Sequence, residues 1–121
     1  SQGLAKGLYR DGHFDKSPDQ LIVNEYHPGQ GIAPHIDCEP CFGDTVTSLS
    51  INSTCMMVFK HVKTSQQIEL FLEPNSLLVI KNQARYDWTH GIPARKTDRV
   101  NNRSYARGRR ISFTFRTVVL D

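Results

Sequence analysis

This sequence is poor in several residues that mark protein classes. Among its 121 residues are three cysteines, two methionines and one tryptophan. Cys38, Cys41 and Cys55 are an odd, small set that does not make a disulfide framework. No apolar run approaches the ~18 residues that cross a bilayer as a helix, so a transmembrane helix is excluded. No basic-then-apolar leader opens the chain. These absences lead us to expect an intracellular protein, cytoplasmic or, in a eukaryote, nuclear, with no membrane partner. No internal repeat and no low-complexity segment is visible. Acids are scarce in one region only. Residues 81–116 hold ten of the 15 Lys and Arg but just two acids, Asp87 and Asp98, a net charge of +8. The remainder, with five bases and ten acids, carries −5. Eight of the ten bases in that region are arginines, whose planar forks suit carboxylates and phosphates. The region is either a solvated basic face or a site for an anionic partner.

What is present fits one folded domain over residues 1–121, expected as a monomer. Leu, Ile, Val and Phe supply 31 of the residues, above the roughly 20% level typical of disordered chains. Residues 1–17 are weakly patterned. From position 20 the chain reads as strands: Leu21–Tyr26, Val46–Asn52, Cys55–Val62, Ile68–Leu72, Ser76–Lys81, Tyr86–Ile92 and Arg109–Leu120. Pro28-Gly29 and Pro74-Asn75 mark turns. Residues 94–108 are polar, with Asn101-Asn102 and Gly108, and read as a mobile loop. Seven or eight short strands with no convincing amphipathic helix predict an all-β antiparallel sandwich, barrel or jelly roll.

Three constellations could carry chemistry. In His35-Ile36-Asp37, an extended strand puts the imidazole and the carboxylate on one face, about 7 Å apart at the backbone. His90, within Trp88-Thr89-His90-Gly91, could be a third ligand. Two His and one carboxylate form the facial triad of non-haem Fe(II) oxygenases, which leaves open positions for a cosubstrate and O₂. The competing reading of each His is a satisfied core or surface imidazole, and His13, His27 and His61 fit it. In Arg110-Ile111-Ser112-Phe113-Thr114-Phe115-Arg116, alternation separates a polar face from an apolar one. We expect Ile111, Phe113 and Phe115 in the core between sheets. Arg110 and Arg116 face solvent or a cavity, and inside a cavity they need anions, because unpaired buried charge is costly. A small dicarboxylate would serve. Asn24 and Tyr26 share a face and could orient such a carboxylate. His35-x-x-Cys38-x-x-Cys41 offers a competing zinc reading, with Asp37, Cys55 or a distant His as fourth ligand. The alternative there is that the cysteines are small residues in a loop near the site.

Taken in order, the motifs become specific. Asn24-x-Tyr26, Pro28-Gly29-Gln30-Gly31-Ile32-x-Pro34-His35-x-Asp37, Trp88-Thr89-His90-Gly91-Ile92 and Arg110-x5-Arg116 resemble the AlkB family of Fe(II)/2-oxoglutarate dioxygenases. Ser48-Leu49-Ser50 and Leu77-Leu78-Val79-Ile80 resemble that family's core strands. The likeness runs from about Pro18 to Arg116. It implies a double-stranded β-helix, a jelly-roll variant, with Fe(II), 2-oxoglutarate and O₂. It implies that His35, Asp37 and His90 bind iron, that Arg110 and Tyr26 hold the distal carboxylate of 2-oxoglutarate, and that Asn24 and Arg116 support its iron-proximal end. Glu39 and Trp88 would meet the substrate. The implied reaction removes alkyl groups from nucleic-acid bases, releasing succinate, CO₂ and formaldehyde. A single strand of DNA or RNA is the natural partner, because the base must leave its stack. On this reading the loop bases Arg95, Lys96, Arg99, Arg103 and Arg107 remain for phosphates. Only 23 residues precede Asn24, so the resemblance leaves most of the family's N-terminal nucleotide-recognition lid missing or reduced. Alternatives are a tRNA-base hydroxylase of the same family, a protein demethylase, and a non-catalytic zinc-binding module.

Overall fold

β-branched and aromatic runs broken by Gly, Pro and Asn give this chain short strands joined by tight turns. The computed structural model describes residues 19–119, so the expectation for residues 1–17 lies outside the described residues. The strands are β1 (Gln20–Tyr26), β2 (Ile32–His35), β3 (Thr45–Ile51), β4 (Cys55–His61), β5 (Gln67–Leu72), β6 (Ser76–Lys81), β7 (Trp88–Ile92), β8 (Thr97–Val100), β9 (Arg103–Ala106) and β10 (Arg110–Arg116). A single helical turn, α1 (Gln83–Tyr86), leads into β7. One sheet has the order β1-β10-β3-β6 and faces a second of order β2-β7-β4-β5; β8 and β9 form a separate hairpin. Every pairing is antiparallel. This is the expected jelly roll, and both long sheets send inward-facing residues into one shared interior.

Buried Cys55, Met57, Leu72 and Ile92 form a core with Ile32, Phe59 and Leu78 packed against it. Each fully buried large apolar side chain stabilises the fold by roughly 1.5–3 kcal/mol. Two motif glycines have a steric reason. A Cβ on Gly31 would overlap the Ile92 carbonyl oxygen, and one on Gly91 would sit 2.9 Å from the Pro34 nitrogen. Strands β2 and β7 therefore approach more closely than side chains permit, and these strands carry His35 and His90 opposite each other.

Three expectations need correction. Residues 94–108 contain the β8–β9 hairpin, not a mobile loop. Asn101 and Asn102 adopt positive φ of 51° and 67°, which suits a two-residue hairpin turn. The hairpin is anchored inward by Asp98, which accepts the Met56 N–H at 3.2 Å. Second, the apolar face of β10 does not lie between the sheets; its polar face does, in the cavity alternative. Arg110, Ser112, Thr114 and Arg116 line the space between the sheets, while Phe115 packs with Leu21 and Phe113 on the other face. The interior beside β10 is a polar-lined cavity, so it takes the polar face. Third, β2 ends at His35 and leaves Asp37 in the loop beyond it. The two residues come together, but not along one extended strand.

Candidate active site

His35 and His90 face each other across the close β2–β7 pair, with ring centres 4.4 Å apart. The loop after β2 folds Asp37 beneath them. Asp37 Oδ1 lies 3.2 Å from His35 Nε2 and 3.5 Å from His90 Nε2. Ligand atoms of the three residues all lie within 4.8 Å of one another, so the group could hold a metal ion. The His35 Nδ1–H donates to the Ala33 carbonyl at 2.9 Å. That bond commits Nδ1 and turns Nε2 toward Asp37, where a metal would take its lone pair in place of a proton. The other oxygen of Asp37, Oδ2, lies 3.4 Å from Arg116 Nη1. Burial alone would raise the Asp37 pKa, but hydrogen bonds from His35 and His90 and the Arg116 charge outweigh it and hold the carboxyl well below its usual range. The same Asp37 bond raises the His35 pKa against the opposing effect of burial.

The cluster opens into a cavity of about 140 Å³ between the two sheets. Its lining includes Asn24, Tyr26, Ser48, Arg110, Ser112 and Arg116. Tyr26 pairs with Arg110 and Asn24 with Ser112 across β1 and β10. Arg110 is only 4% exposed. It donates through Nη2 to Ser50 Oγ at 2.9 Å, yet its buried Nε has no partner. Among the described residues no carboxylate pairs with it, so this is a buried cation awaiting an anion. Its guanidinium carbon lies 5.4 Å from the centre of the Tyr26 ring. Burial raises the Tyr26 pKa, with the Arg110 charge opposing, so the phenol keeps its proton as a hydrogen-bond donor. Arg116 is already engaged, through Asp37 and through a 2.8 Å bond from Nε to Gln20 Oε1. Its guanidinium also stacks over Phe42 at 4.0 Å.

Other predicted residues fall elsewhere. Glu39 is exposed, and neither it nor Trp88 is among the cavity-lining residues. Trp88 packs edge-on against His61, with ring centres 5.1 Å apart. Cys38 and Cys41 lie in the loop beside Asp37, as the alternative reading expected, and are joined in a disulfide, which corrects the zinc reading. Cys55 is a free, buried thiol, and burial raises its pKa. The basic region also divides. Arg107 is buried and donates to Asp98 through Nε at 2.7 Å and Nη2 at 2.8 Å. Arg95 reaches the same carboxylate at 2.8 Å. Arg107 and Arg95 therefore do not stand free for phosphates, whereas Lys96, Arg99 and Arg103 are exposed.

The sequence reading missed two residues. Asp98 looked like a minor acid in a basic stretch, yet it is fully buried and organises the hairpin. Arg85 looked like one more base, yet its side chain is buried against the loop that carries Asp37. A lone Arg in a turn has no periodicity to betray burial. Its only signal was its place five residues before His90.

A jelly roll whose interior brings two histidines and a carboxylate to one cavity belongs to a recognisable class, the mononuclear non-haem Fe(II) oxygenases. Comparison with known proteins agrees. Residues 3–116 match the model of the 2OG-Fe(II) oxygenase superfamily. The chain belongs to that superfamily and is an AlkB-like member of it. It is 43% identical over 117 residues to an uncharacterized protein, L905, of Acanthamoeba polyphaga mimivirus, covering 96% of this chain and 56% of that protein. It is 42% identical over 125 residues to the tRNA (carboxymethyluridine(34)-5-O)-methyltransferase ALKBH8 of Macaca fascicularis, covering 90% of this chain and 19% of that protein. The solved structure of OsALKBH1 shares the fold, with a TM-score of 0.64, 22% identity and coverage of 96% of this chain and 59% of that one. The chain thus spans about half or less of the curated relatives it matches. The family works with Fe(II), 2-oxoglutarate and O₂. The donor set of His35, Asp37 and His90 fits a hard divalent iron, and the unpartnered Nε of Arg110 fits a dicarboxylate.

Proposed function

We propose that this chain is an oxidative demethylase of alkylated nucleic-acid bases. The observation that carries the reading is one cavity with a metal-competent His-Asp-His group on its wall and a buried arginine also lining it that, among the described residues, has no carboxylate partner. His35 Nε2, His90 Nε2 and Asp37 Oδ1 hold Fe(II). Arg110 binds the distal carboxylate of 2-oxoglutarate with its fork, and the protonated Tyr26 phenol adds a donor. Asn24 and Arg116 support the iron-proximal end. Arg116, by also holding Asp37 Oδ2, turns Oδ1 toward the histidines. When bound, iron supplies the O₂-dependent oxidation that converts 2-oxoglutarate to succinate and CO₂ and hydroxylates the N-alkyl carbon, which leaves as formaldehyde.

The cavity's size constrains the substrate. About 140 Å³ is close to the ~150 Å³ that takes a benzene-sized molecule. A five-carbon diacid would occupy much of that space. The base would then approach from the mouth, unstacked from its neighbours. A single strand provides this at the lowest cost. The test is formaldehyde and succinate release from methylated single-stranded DNA and RNA, with methylated peptides in parallel. We expect stoichiometric release from an oligonucleotide, lost in His35→Ala and Asp37→Ala. Release from the peptide alone overturns the substrate, and turnover that survives either substitution overturns the ligand assignment. Identity of 42% to a relative named for tRNA favours a second reading, hydroxylation of a tRNA base. That outcome is succinate release with a hydroxylated base retained and no formaldehyde.

A further inference from the structure

We propose that Arg85 is a positioning residue for the metal centre, clamping the backbone of the loop that carries Asp37 to the segment that leads into His90. The side chain is 2% exposed. Every guanidinium nitrogen is committed to a backbone carbonyl: Nη1 donates to Asp37 at 2.6 Å, Nη2 to Cys38 at 3.1 Å and Nε to Gly43 at 3.2 Å. Among the described residues, no carboxylate pairs with it. A buried guanidinium that neutralises no anion is costly to keep, and its planar fork reads the orientation of three carbonyls at once. An apolar residue could fill the same space; it could not fix those carbonyls.

The loop needs fixing at this point. Asp37 lies past the end of β2, so no strand ladder sets its backbone. Other ties hold the far side of the loop. Gly43 N–H donates to the Thr117 carbonyl at 2.8 Å, and Val119 N–H to the Cys41 carbonyl at 2.9 Å. The bond to the Asp37 carbonyl itself comes from Arg85. Arg85 sits on α1, three residues before β7 begins, and that segment is pinned to the β4–β5 turn by Val62 N–H donating to the Asp87 carbonyl at 3.0 Å. One side chain therefore joins the chain segments that deliver two of the three ligands. Its action on the Asp37 carboxylate passes through the backbone and leaves Oδ2 to Arg116.

The inference rests on His35, Asp37 and His90 being the ligands, so the test separates the two. Co(II) is titrated into the 121-residue chain, following its d–d absorption, with His35→Ala as the reference for a lost ligand. Loss of binding in His35→Ala with a 10- to 100-fold weaker Co(II) affinity in Arg85→Ala and Arg85→Lys is expected, the usual range for a group that orients a ligand. Parental affinity and spectrum in a folded Arg85 variant overturn the clamp. Parental binding in His35→Ala overturns the ligand assignment instead. Should both Arg85 variants fail to fold, amide exchange in the parental chain decides. Protection across residues 37–43 in the metal-free protein is expected, because the clamp precedes the metal. Free exchange there until Co(II) is added overturns the proposal.

Discussion

Arg107 and Arg110 stand three residues apart, both nearly sealed from solvent at 7% and 4% exposure, and they have opposite surroundings. Arg107 meets the buried carboxylate of Asp98 through two bonds and the Pro93 carbonyl through a third. Arg110 meets one hydroxyl, keeps an unpartnered Nε and faces the cavity. The first charge is closed within the protein and holds the hairpin to the barrel. The second is left open, and an open buried charge marks a binding site. Burial and residue type are the same; what sets Arg110 apart is a buried guanidinium nitrogen left without an acceptor, whereas Arg107 is closed by the Asp98 carboxylate.

Breaking the closed pair should have the largest effect. Asp98→Ala leaves Arg107 without its anion and should cost about 3–5 kcal/mol of stability, read by urea unfolding. Arg110→Ala should sharpen the contrast: stability changes by no more than about 1 kcal/mol, while 2-oxoglutarate affinity, measured by calorimetry with Co(II) present, falls by the equivalent of about 1.5–3 kcal/mol. An Arg110→Ala variant as unstable as Asp98→Ala would erase the distinction. The closed pair also has a pH signature. Burial raises the Asp98 pKa, but bonds from Arg107 and Arg95 outweigh it and hold it below its ordinary 3.8. Its stabilisation is therefore complete above that value and lost as pH falls through the lower folded one. The stability gap between parent and Asp98→Asn should narrow as unfolding is measured at successively lower pH beneath about 4. A gap that widens with acid contradicts the pairing. Arg99 and Arg103 are exposed and, among the described residues, pair with no carboxylate, so they should show the smallest effect. Arg99→Ala and Arg103→Ala should each reduce the salt slope of single-strand binding by about 1, regardless of sequence. An unchanged slope removes the hairpin from the nucleic-acid contact.

How far the sequence reveals this molecule depends on the range of each signal. Ser76–Lys81 has the same bounds in sequence and structure, because its apolar run is fenced by Pro74-Asn75 and Asn82. His35, Asp37 and His90 were visible because fixed phrases surround them, and Gly31 and Gly91 in those phrases serve a backbone approach that only glycine permits. The apolar face of β10 was misjudged for a physical reason. Alternation states which residues share a face and not which face turns inward, and the usual assumption of apolar-inward fails where the interior is a site. The hairpin at 97–106 was read as a loop because its composition is polar, although paired Asn residues at positive φ close a turn well. The main-chain partners of Arg85 and Asp98 lie 42–48 positions away, and no local pattern encodes contacts of that span.

Trp88 gives the molecule a property of a different kind. It is the chain's sole tryptophan, and it lies two residues before His90, on the same side of β7. Its indole rests edge-on against His61. All tryptophan emission from this protein therefore originates beside one iron-ligand position. The chain carries a built-in optical probe: a paramagnetic ion seated at His90 should dim a tryptophan signal that has no second source in these 121 residues.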